Sequence, residues 1–344
     1  MKQVDKTDDT ALIRNQIQIL SIAEGFFQSS VLFALLKLRI FERIGETHKT
    51  VHELAKELRS RPDTLTRLLN AGVIFKLFET QDGVSYRLTP VSRAVLLPGA
   101  GENYLGDWIR NLDYFRDALS RLEEAVLRSG PSVEPSAHLG ADEEHTRNFI
   151  LAMHNYAALR GKELAHYLDL STNKTLLDLG CGPGTYAFQL GMRNPHLKLF
   201  LMDLPGVLKV AEDVARRYEL KNEVHYLPAD VLKDEIPGSY DVVIVSNTLH
   251  MLGEEASRNL IRRLYQTVNK GGSLVIQAQY MRDDRRGDRW PVLLDLIQLC
   301  ITSTGRNHSV GETKRWLEEA GFSNPQFCSM TVFNTNSYLR AYKT

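Results

Sequence analysis

The chain has 344 residues, enough for about two domains, each with a full core. Lysine plus arginine and aspartate plus glutamate both number 42, so the formal net charge is zero, and no basic run or low-complexity block marks a polyanion partner. Three scattered cysteines, Cys181, Cys300 and Cys328, speak against a disulfide framework and for a reducing compartment.

The opening residues MKQVDKTDDT are charged and lack the apolar core of a signal peptide. No run reaches the ~18 apolar residues of a membrane span. The expectation is a soluble, cytoplasmic protein with no membrane partner. Residues 17–41 are unusually apolar: Ile19, Leu20, Ile22, Phe26, Phe27, Val31, Leu32, Leu35 and Leu36 leave little polar face. A helix apolar nearly all round must be buried on several sides, and a second copy of the chain is the expected cover. Thr50-Val51-His52-Glu53 is a capping-box pattern opening a short helix with Val51, Leu54, Ala55 and Leu58 inward. Pro62-Asp63 starts another, carrying Leu65, Leu68, Leu69 and Val73. Residues 75–88 alternate around Gln81-Asp82-Gly83, which predicts a hairpin.

Helix, turn, helix and hairpin together predict a winged helix within residues 1–105. Such a module can read DNA, which leaves open a regulator that senses a nucleoside through its second domain. The would-be recognition helix, however, begins with Asp63, Thr64 and Thr66, with only Arg59, Arg61 and Arg67 for phosphates. A packing module without nucleic acid is the preferred reading. Residues 106–170 form a helical linker, with helices over 104–127 and 145–167. The second carries Phe149, Met153, His154, Asn155 and Tyr156, side chains suited to a cleft. The alternative has Phe149 and Met153 in the core and His154 facing solvent.

Over residues 171–344 strands and helices alternate, the signature of a doubly wound α/β sheet. The stretch TLLDLGCGPGTY (residues 175–186) is a buried strand ending in Asp178, then Gly180, Gly182 and Gly184, where missing side chains let a ligand lie against the backbone. The next strand ends in Met202-Asp203-Leu204-Pro205. Asp203 thus falls about 20 residues beyond the loop, where a carboxylate accepts both ribose hydroxyl hydrogens. A third strand ends in Ala229-Asp230. The dinucleotide fingerprint fails, because Thr185 stands at its sixth position. Asp178 at the mouth suits an ammonium or sulfonium better than a phosphate.

A fourth strand, 241–246, leads into Ser246-Asn247-Thr248-Leu249-His250-Met251, and Glu254-Glu255 opens a helix. His250 lies just past the strand tip on the ligand side, where an imidazole near pKa 6.5 can take a proton at neutral pH. A strand over 273–279 follows a turn at Lys270-Gly271-Gly272. Residues 311–321 predict an amphipathic helix, and 326–333 and 337–342 a terminal hairpin around Asn334-Thr335-Asn336. No His, Cys, Asp and Glu set has metal-ligand spacing.

LLDLGCGPG, MDLP, PAD and NTLH in this order, the late GGSLVI strand and EEAGF at 318–322 resemble class I S-adenosylmethionine-dependent methyltransferases. Within these, the chain is similar from about residue 17 onward to small-molecule O-methyltransferases typified by the caffeate, hydroxyindole and bacterial antibiotic enzymes. The resemblance implies a Rossmann-like sheet, a homodimer through swapped N-terminal helices, S-adenosylmethionine as cofactor, no metal and a small-molecule acceptor. Asp178, Gly180, Gly182, Gly184, Asp203, Leu204, Asp230, Val231 and Ser246 are the expected cofactor residues, with Asp203 at the ribose and Asp230 at the adenine. His250 is the implied base. Phe149, Met153, Tyr156, Gln277, Trp290, Leu294 and Asn307 are the expected substrate contacts.

The chain departs from the family near the base. Met251 follows the histidine where many members have Asp, and the amides Gln277 and Asn307 stand at or near two glutamate positions. An amide can orient an imidazole but stabilises its cation less than a carboxylate does. Three readings follow: the hydroxyl acceptor is easily deprotonated, Asp283 or Asp284 substitutes for the missing acid, or the acceptor is a thiol, thioether or amine. The amides, with Arg306 nearby, could also bind a substrate carbonyl or carboxylate. Some relatives bind the cofactor and do other chemistry.

Overall fold

Two helices, α1 (Lys6–Ala23) and α2 (Gly25–Lys37), open the chain where one apolar helix is expected. Only Glu24 separates them, and its N–H still donates to the Leu20 carbonyl at 2.8 Å. The larger break follows at Leu38-Arg39, where Arg39 takes a left-handed φ of 54° before α3 (Ile40–Ile44). The apolar stretch then divides by burial. Leu35 and Leu36 enter the core, whereas Ile17, Ile19, Leu20, Ile22, Phe26 and Phe27 are each more than half exposed. Helical residues Thr10–Lys37 are, by length and composition, apolar enough to cross a membrane. This corrects the expectation that no run approaches that length.

The structure is a computed structural model that describes residues 6–134, 143–330 and 336–344. It forms two units, Met1–Arg110 and Asn111–Thr344. The first continues with β1 (His48–Thr50), α4 (Val51–Leu58), α5 (Pro62–Ile74), β2 (Phe78–Glu79), β3 (Ser85–Leu88) and α6 (Pro90–Leu96). The capping box is formed: Thr50 Oγ1 accepts from the Glu53 N–H at 3.2 Å, and Glu53 Oε2 from the Thr50 N–H at 2.8 Å. Asp82 Oδ1 ties the hairpin turn by accepting from the Val84 and Ser85 amides at 2.8 and 2.7 Å. The hairpin gains a third strand, β1, antiparallel to β3. Three residues are too few to show a period in sequence. Gly72 of α5 lets the helix close on the sheet, because a Cβ there would lie 2.6 Å from the Phe78 ring.

The helix predicted over 104–127 is two, α7 (Gly106–Leu119) and α8 (Leu122–Arg128). The Ser120 hydroxyl bonds back to the Asp117 carbonyl at 2.6 Å, and Arg121 leaves helical geometry (φ −121°, ψ 32°). Next come α9 (Glu143–Tyr167), β4 (Thr175–Leu179), α10 (Thr185–Arg193), β5 (Lys198–Asp203), α11 (Pro205–Ala215), β6 (Val224–Pro228) and β7 (Tyr240–Ser246). The chain ends with α12 (Glu254–Thr267), β8 (Val268–Ala278), α13 (Arg289–Ile301), α14 (Val310–Glu319), β9 (Ser323–Ser329) and β10 (Ser337–Tyr342). Seven strands lie in the order β6-β5-β4-β7-β8-β10-β9, parallel except where β10 pairs antiparallel with both neighbours. This is the expected doubly wound sheet. The predicted terminal turn includes Asn334 and Thr335, which lie outside the described residues.

Strand alternation sorts side chains onto two covered faces. Leu176, Leu199, Leu201, Val242 and Ile244 pack under α9, α10 and α11. Leu177, Leu179, Met202, Val243, Val245 and Ile276 pack under α12 and α14. Lys270-Gly271-Gly272 does not precede β8 but bulges within it, the register moving from Tyr240 opposite Val268 to Val242 opposite Ser273. Gly272 is required there, since a Cβ would stand 2.6 Å from the Asp241 carbonyl.

Candidate active site

Strand β4 lies between β5 and β7, so the chain leaves the sheet centre in opposite directions and opens a crevice beyond the strand ends. The glycine loop rims it. The Gly180 and Cys181 amides donate to the Met202 carbonyl at 2.8 and 3.3 Å, fixing the loop to β5. Gly182 has φ 54°, and a Cβ there would meet nothing within 4 Å, so its backbone face is open to a ligand. Gly184 serves packing: a Cβ would lie 2.6 Å from Leu201 and Phe188. A Cβ on Gly180 would lie 3.1 Å from Thr248 Oγ1, so the glycine loop touches the loop carrying His250.

Three acids stand along this rim. Asp203, at the tip of β5, accepts from the Gly182 amide through Oδ2 at 2.8 Å and from the Leu204 amide through Oδ1 at 2.7 Å. Each oxygen keeps acceptor capacity. Burial nevertheless pushes Asp203 up to about 6, those amides opposing the shift. Asp178 is 1 % exposed, and neither oxygen makes a well-formed hydrogen bond. Burial, with the neighbouring Asp203 charge adding to it, pushes Asp178 up to about 7; the Ala187 amide offsets only part. A buried carboxyl without a well-formed hydrogen bond is costly to ionise unless a cation or donor meets it. Asp230, beyond β6, is held below its ordinary range by Lys233 at 2.8 Å and by the Leu232 amide. Val231 packs on the α12 side and its carbonyl accepts from Arg263 at 2.9 Å. Ser246 Oγ, at the end of β7, is buried without a partner.

His250 sits in a single 3-10 turn, Leu249–Met251, between β7 and α12. Its Nδ1 is buried without a hydrogen-bond partner. Burial, with a smaller push from the nearby His308, lowers its pKa to about 4. The imidazole is therefore neutral at physiological pH. Among the described residues, no carboxylate is bonded to it.

The amides expected beside the base are committed elsewhere. Gln277 is fully buried, its Nε2 donating to Asn336 Oδ1 and its Oε1 accepting from Asn247 Nδ2 at 2.7 Å. Asn307 donates through Nδ2 to the carbonyls of Gln279 and Pro291 at 2.7 and 3.0 Å. Neither bonds His250. The substitute acids are also engaged: Asp283 accepts from the Gly311 amide at 2.9 Å, and Asp284 from the Arg286 amide at 3.0 Å. Arg306 pairs with Glu312 at 2.5 Å rather than standing open for a substrate carboxylate. A cleft of about 600 Å³ is lined by Asp283, Asp284 and Phe327 and includes none of the expected cofactor or substrate contacts.

Aromatic side chains pack together on α9, α10 and α13. Tyr156 of α9 is buried, with the Arg160 guanidinium 3.8 Å over its ring and Trp290 of α13 bonded to it. Tyr186 receives a hydrogen bond from Asn247 Nδ2 at 3.1 Å. Leu294 is buried, Met153 half-buried, and Phe149 packs against the α9–α11 core. His154 does not face solvent: it is buried, its Nδ1 2.9 Å from Thr185 Oγ1, and burial lowers its pKa to about 4. Sequence reasoning missed Tyr186, Asn247 and His308. Asn247 offered a signal, since asparagine tolerates the left-handed φ of 53° it adopts directly before the histidine turn. Among the described residues, no group of three His, Cys, Asp or Glu could hold a metal ion.

Residues 122–323 match the O-methyltransferase domain family and residues 20–98 the O-methyltransferase dimerisation domain family. The chain is similar to the tetracenomycin polyketide synthesis 8-O-methyltransferase TcmO of Streptomyces glaucescens, 29% identical over 320 residues, 91% of this chain and 93% of that one. It also resembles the N,N-dimethyltransferase OxyT of Streptomyces rimosus, 26% identical over 326 residues, 92% of this chain and 93% of that one. The crystal structure of human N-acetylserotonin methyltransferase in complex with SAM superposes with a TM-score of 0.85 at 23% identity, covering 100% of this chain and 99% of that one.

Proposed function

The chain belongs to the O-methyltransferase family, and on that premise we propose that it moves a methyl group from S-adenosylmethionine to a hydroxyl oxygen of a small molecule, with His250 taking the proton. The observation that carries this reading is the contact between Gly180 and Thr248, which puts the glycine loop and the histidine turn on one crevice. S-adenosylmethionine, when bound, supplies an electrophilic methyl on a sulfonium. Asp178 would face its positive charge, Asp203 its ribose hydroxyls and Asp230 its adenine end, with Gly180, Gly182, Leu204, Val231 and Ser246 completing the wall. The unpartnered oxygens of Asp178 and the open face of Gly182 fit such a cation.

Displacement at a methyl carbon needs alignment above all, and Tyr156, Trp290, Leu294, Met153 and Phe149 are the residues to hold an acceptor in line. A neutral imidazole can accept the hydroxyl proton, but without a carboxylate its cation gains little support. This favours a hydroxyl that loses its proton easily, such as a phenol or enol, over an alkyl alcohol. The same feature keeps one second reading in view: an unprotonated amine needs less help from a base, and OxyT is named as an N,N-dimethyltransferase. Labelled cofactor with a panel of phenols, aliphatic alcohols, amines and thiols separates these. Turnover of phenols alone is expected; turnover of amines alone would replace the hydroxyl reading.

We further propose that residues 1–105 are a winged helix used for packing, 106–170 contribute to the acceptor pocket and 171–344 hold the cofactor. Arg61 is paired with Asp63 at 2.9 Å, and the Thr64 and Thr66 hydroxyls bond to the helix's own carbonyls, which weighs against DNA reading. The exposed Ile17, Ile19, Leu20, Ile22, Phe26 and Phe27 fit a homodimer, their cover being the same face of a second copy. Light scattering should give close to twice the chain mass of 39.0 kDa, and Phe26→Asp should yield monomer or aggregate. A monodisperse full-length monomer would remove the dimer. The three free cysteines fit a reducing, cytoplasmic setting.

A further inference from the structure

Among the described residues, no carboxylate orients His250 as one normally orients a catalytic imidazole, yet its turn is held from the other side. Its neighbour is a second histidine, His308, 4 % exposed and lying just before α14. His308 Nε2 stands 3.0 Å from the carbonyl of Leu249, the first residue of the histidine turn, and 3.2 Å from Ser257 Oγ of α12. A carbonyl oxygen only accepts, so Nε2 carries the proton. The ring is wedged edge-on against Trp316 of α14, centroids 4.9 Å apart. The preceding backbone lies on the same turn: a Cβ on Gly305 would be 2.9 Å from both the His250 and Met251 carbonyls, and one on Gly253 would be 3.1 Å from Thr304.

We propose that His308 is the positioning residue for His250, clamping its 3-10 turn through the Nε2–H to Leu249 carbonyl bond and standing where a carboxylate partner would otherwise act. The groups facing His308 from each packed element are Ser257 of α12, the Leu249 and Leu252 backbone of the turn, Arg306 of its own segment, and Glu312 and Trp316 of α14. Glu312 is the acid of this array. It is anchored by Arg285 at 2.6 Å and Arg306 at 2.5 Å and favours a positive His308, which Arg306 opposes. The array acts on His308, and His308 in turn on His250. With His308 neutral at physiological pH, the clamp holds the base without adding a like charge; as His308 protonates, it disfavours the cation on His250.

This inference rests on the reading of His250 as the base, and the test separates the two. His308→Ala should lower kcat ~10–100-fold, the cost of a misplaced catalytic group, while S-adenosylhomocysteine affinity stays unchanged. His308→Gln, whose amide can still donate to the Leu249 carbonyl, should recover most of that loss. An NMR titration of the His250 ring should show its pKa rising in both variants, because the neighbouring titrating ring is gone. Wild-type kcat in His308→Ala, an equal loss in both variants, or an unmoved His250 titration would each overturn the positioning role. Full activity of His250→Ala would instead sink the base reading, while the NMR titration would still decide whether His308 is coupled to His250.

Discussion

His250→Ala should lower kcat on the true acceptor by about 10²–10⁴, which is about 3–5 kcal/mol of barrier, with S-adenosylhomocysteine affinity nearly unchanged. The proton leaves the acceptor as the new bond forms, so the imidazole acts in the transition state rather than in cofactor binding. Its pH behaviour follows from burial. With the pKa lowered from the ordinary 6.5 to about 4, the ring is neutral and able to accept a proton throughout the neutral range. At saturating cofactor, kcat should show no acid limb near 6.5. The same shift gives His250 a contribution to stability that is lost as pH falls from about 6.5 to about 4, since the unfolded imidazole takes up a proton that the buried one refuses. If the acceptor is a thiol, the loss in His250→Ala should shrink as pH rises through the thiol's own pKa. Full activity of His250→Ala at every pH would take the residue out of the mechanism.

Asp203→Ala should weaken S-adenosylhomocysteine binding by roughly 10–150-fold, the ~1.5–3 kcal/mol of a hydrogen bond to a charged group, and leave the Gly182 and Leu204 amides unpaired. Asp203→Asn keeps one acceptor and should fall between. pH adds a second signature with a definite sign. Asp178 and Asp203 have folded pKa values raised to about 7 and about 6, so the ligand-free chain keeps protons that the unfolded chain has lost. The contribution of these two carboxyls to the stability of the ligand-free protein therefore declines as pH rises from about 4 to about 7 and levels off above, opposite in sign to that of His250. A ligand ammonium favours the ionised carboxyls. The thermal stabilisation by S-adenosylhomocysteine should thus grow between pH 5.5 and 8, and flatten in Asp178→Asn. Calorimetry that shows wild-type affinity for Asp203→Ala would reject the ribose assignment.

The placement of the glycine loop and its neighbouring acid was legible because it is local. Asp178, Gly180, Gly182 and Gly184 are set by one strand and one loop, and Asp203 follows one helix later, so spacing alone puts them at adjoining strand tips. Helix starts were legible for the same reason: Thr50 and Glu53, or Pro62, act within one turn. The acceptor half was not. Gln277 and Asn307 stand at positions that suggest partners for His250, but their amides turn to Asn247, Asn336 and two backbone carbonyls. Hydrogen-bond direction depends on side-chain orientation, which no spacing encodes.

The sequence by itself determined the doubly wound sheet, the glycine loop, a carboxylate at the tip of the second strand and a histidine past the fourth, because strand period and loop chemistry are properties of contiguous residues. It also determined that the N-terminal helices carry more apolar surface than a small unit can cover. Only the tertiary structure decided which part of that surface stays outside, since Leu35 and Leu36 reach the core after Arg39 turns the chain while Ile22 and Phe26 do not. It alone decided that Asp178 is buried with neither oxygen in a well-formed hydrogen bond, and that the turn carrying His250 is held by His308. Burial and pairing are set by residues more than fifty positions apart in the chain, as His250 and His308 are, and distance of that kind becomes contact only when the sheet is closed.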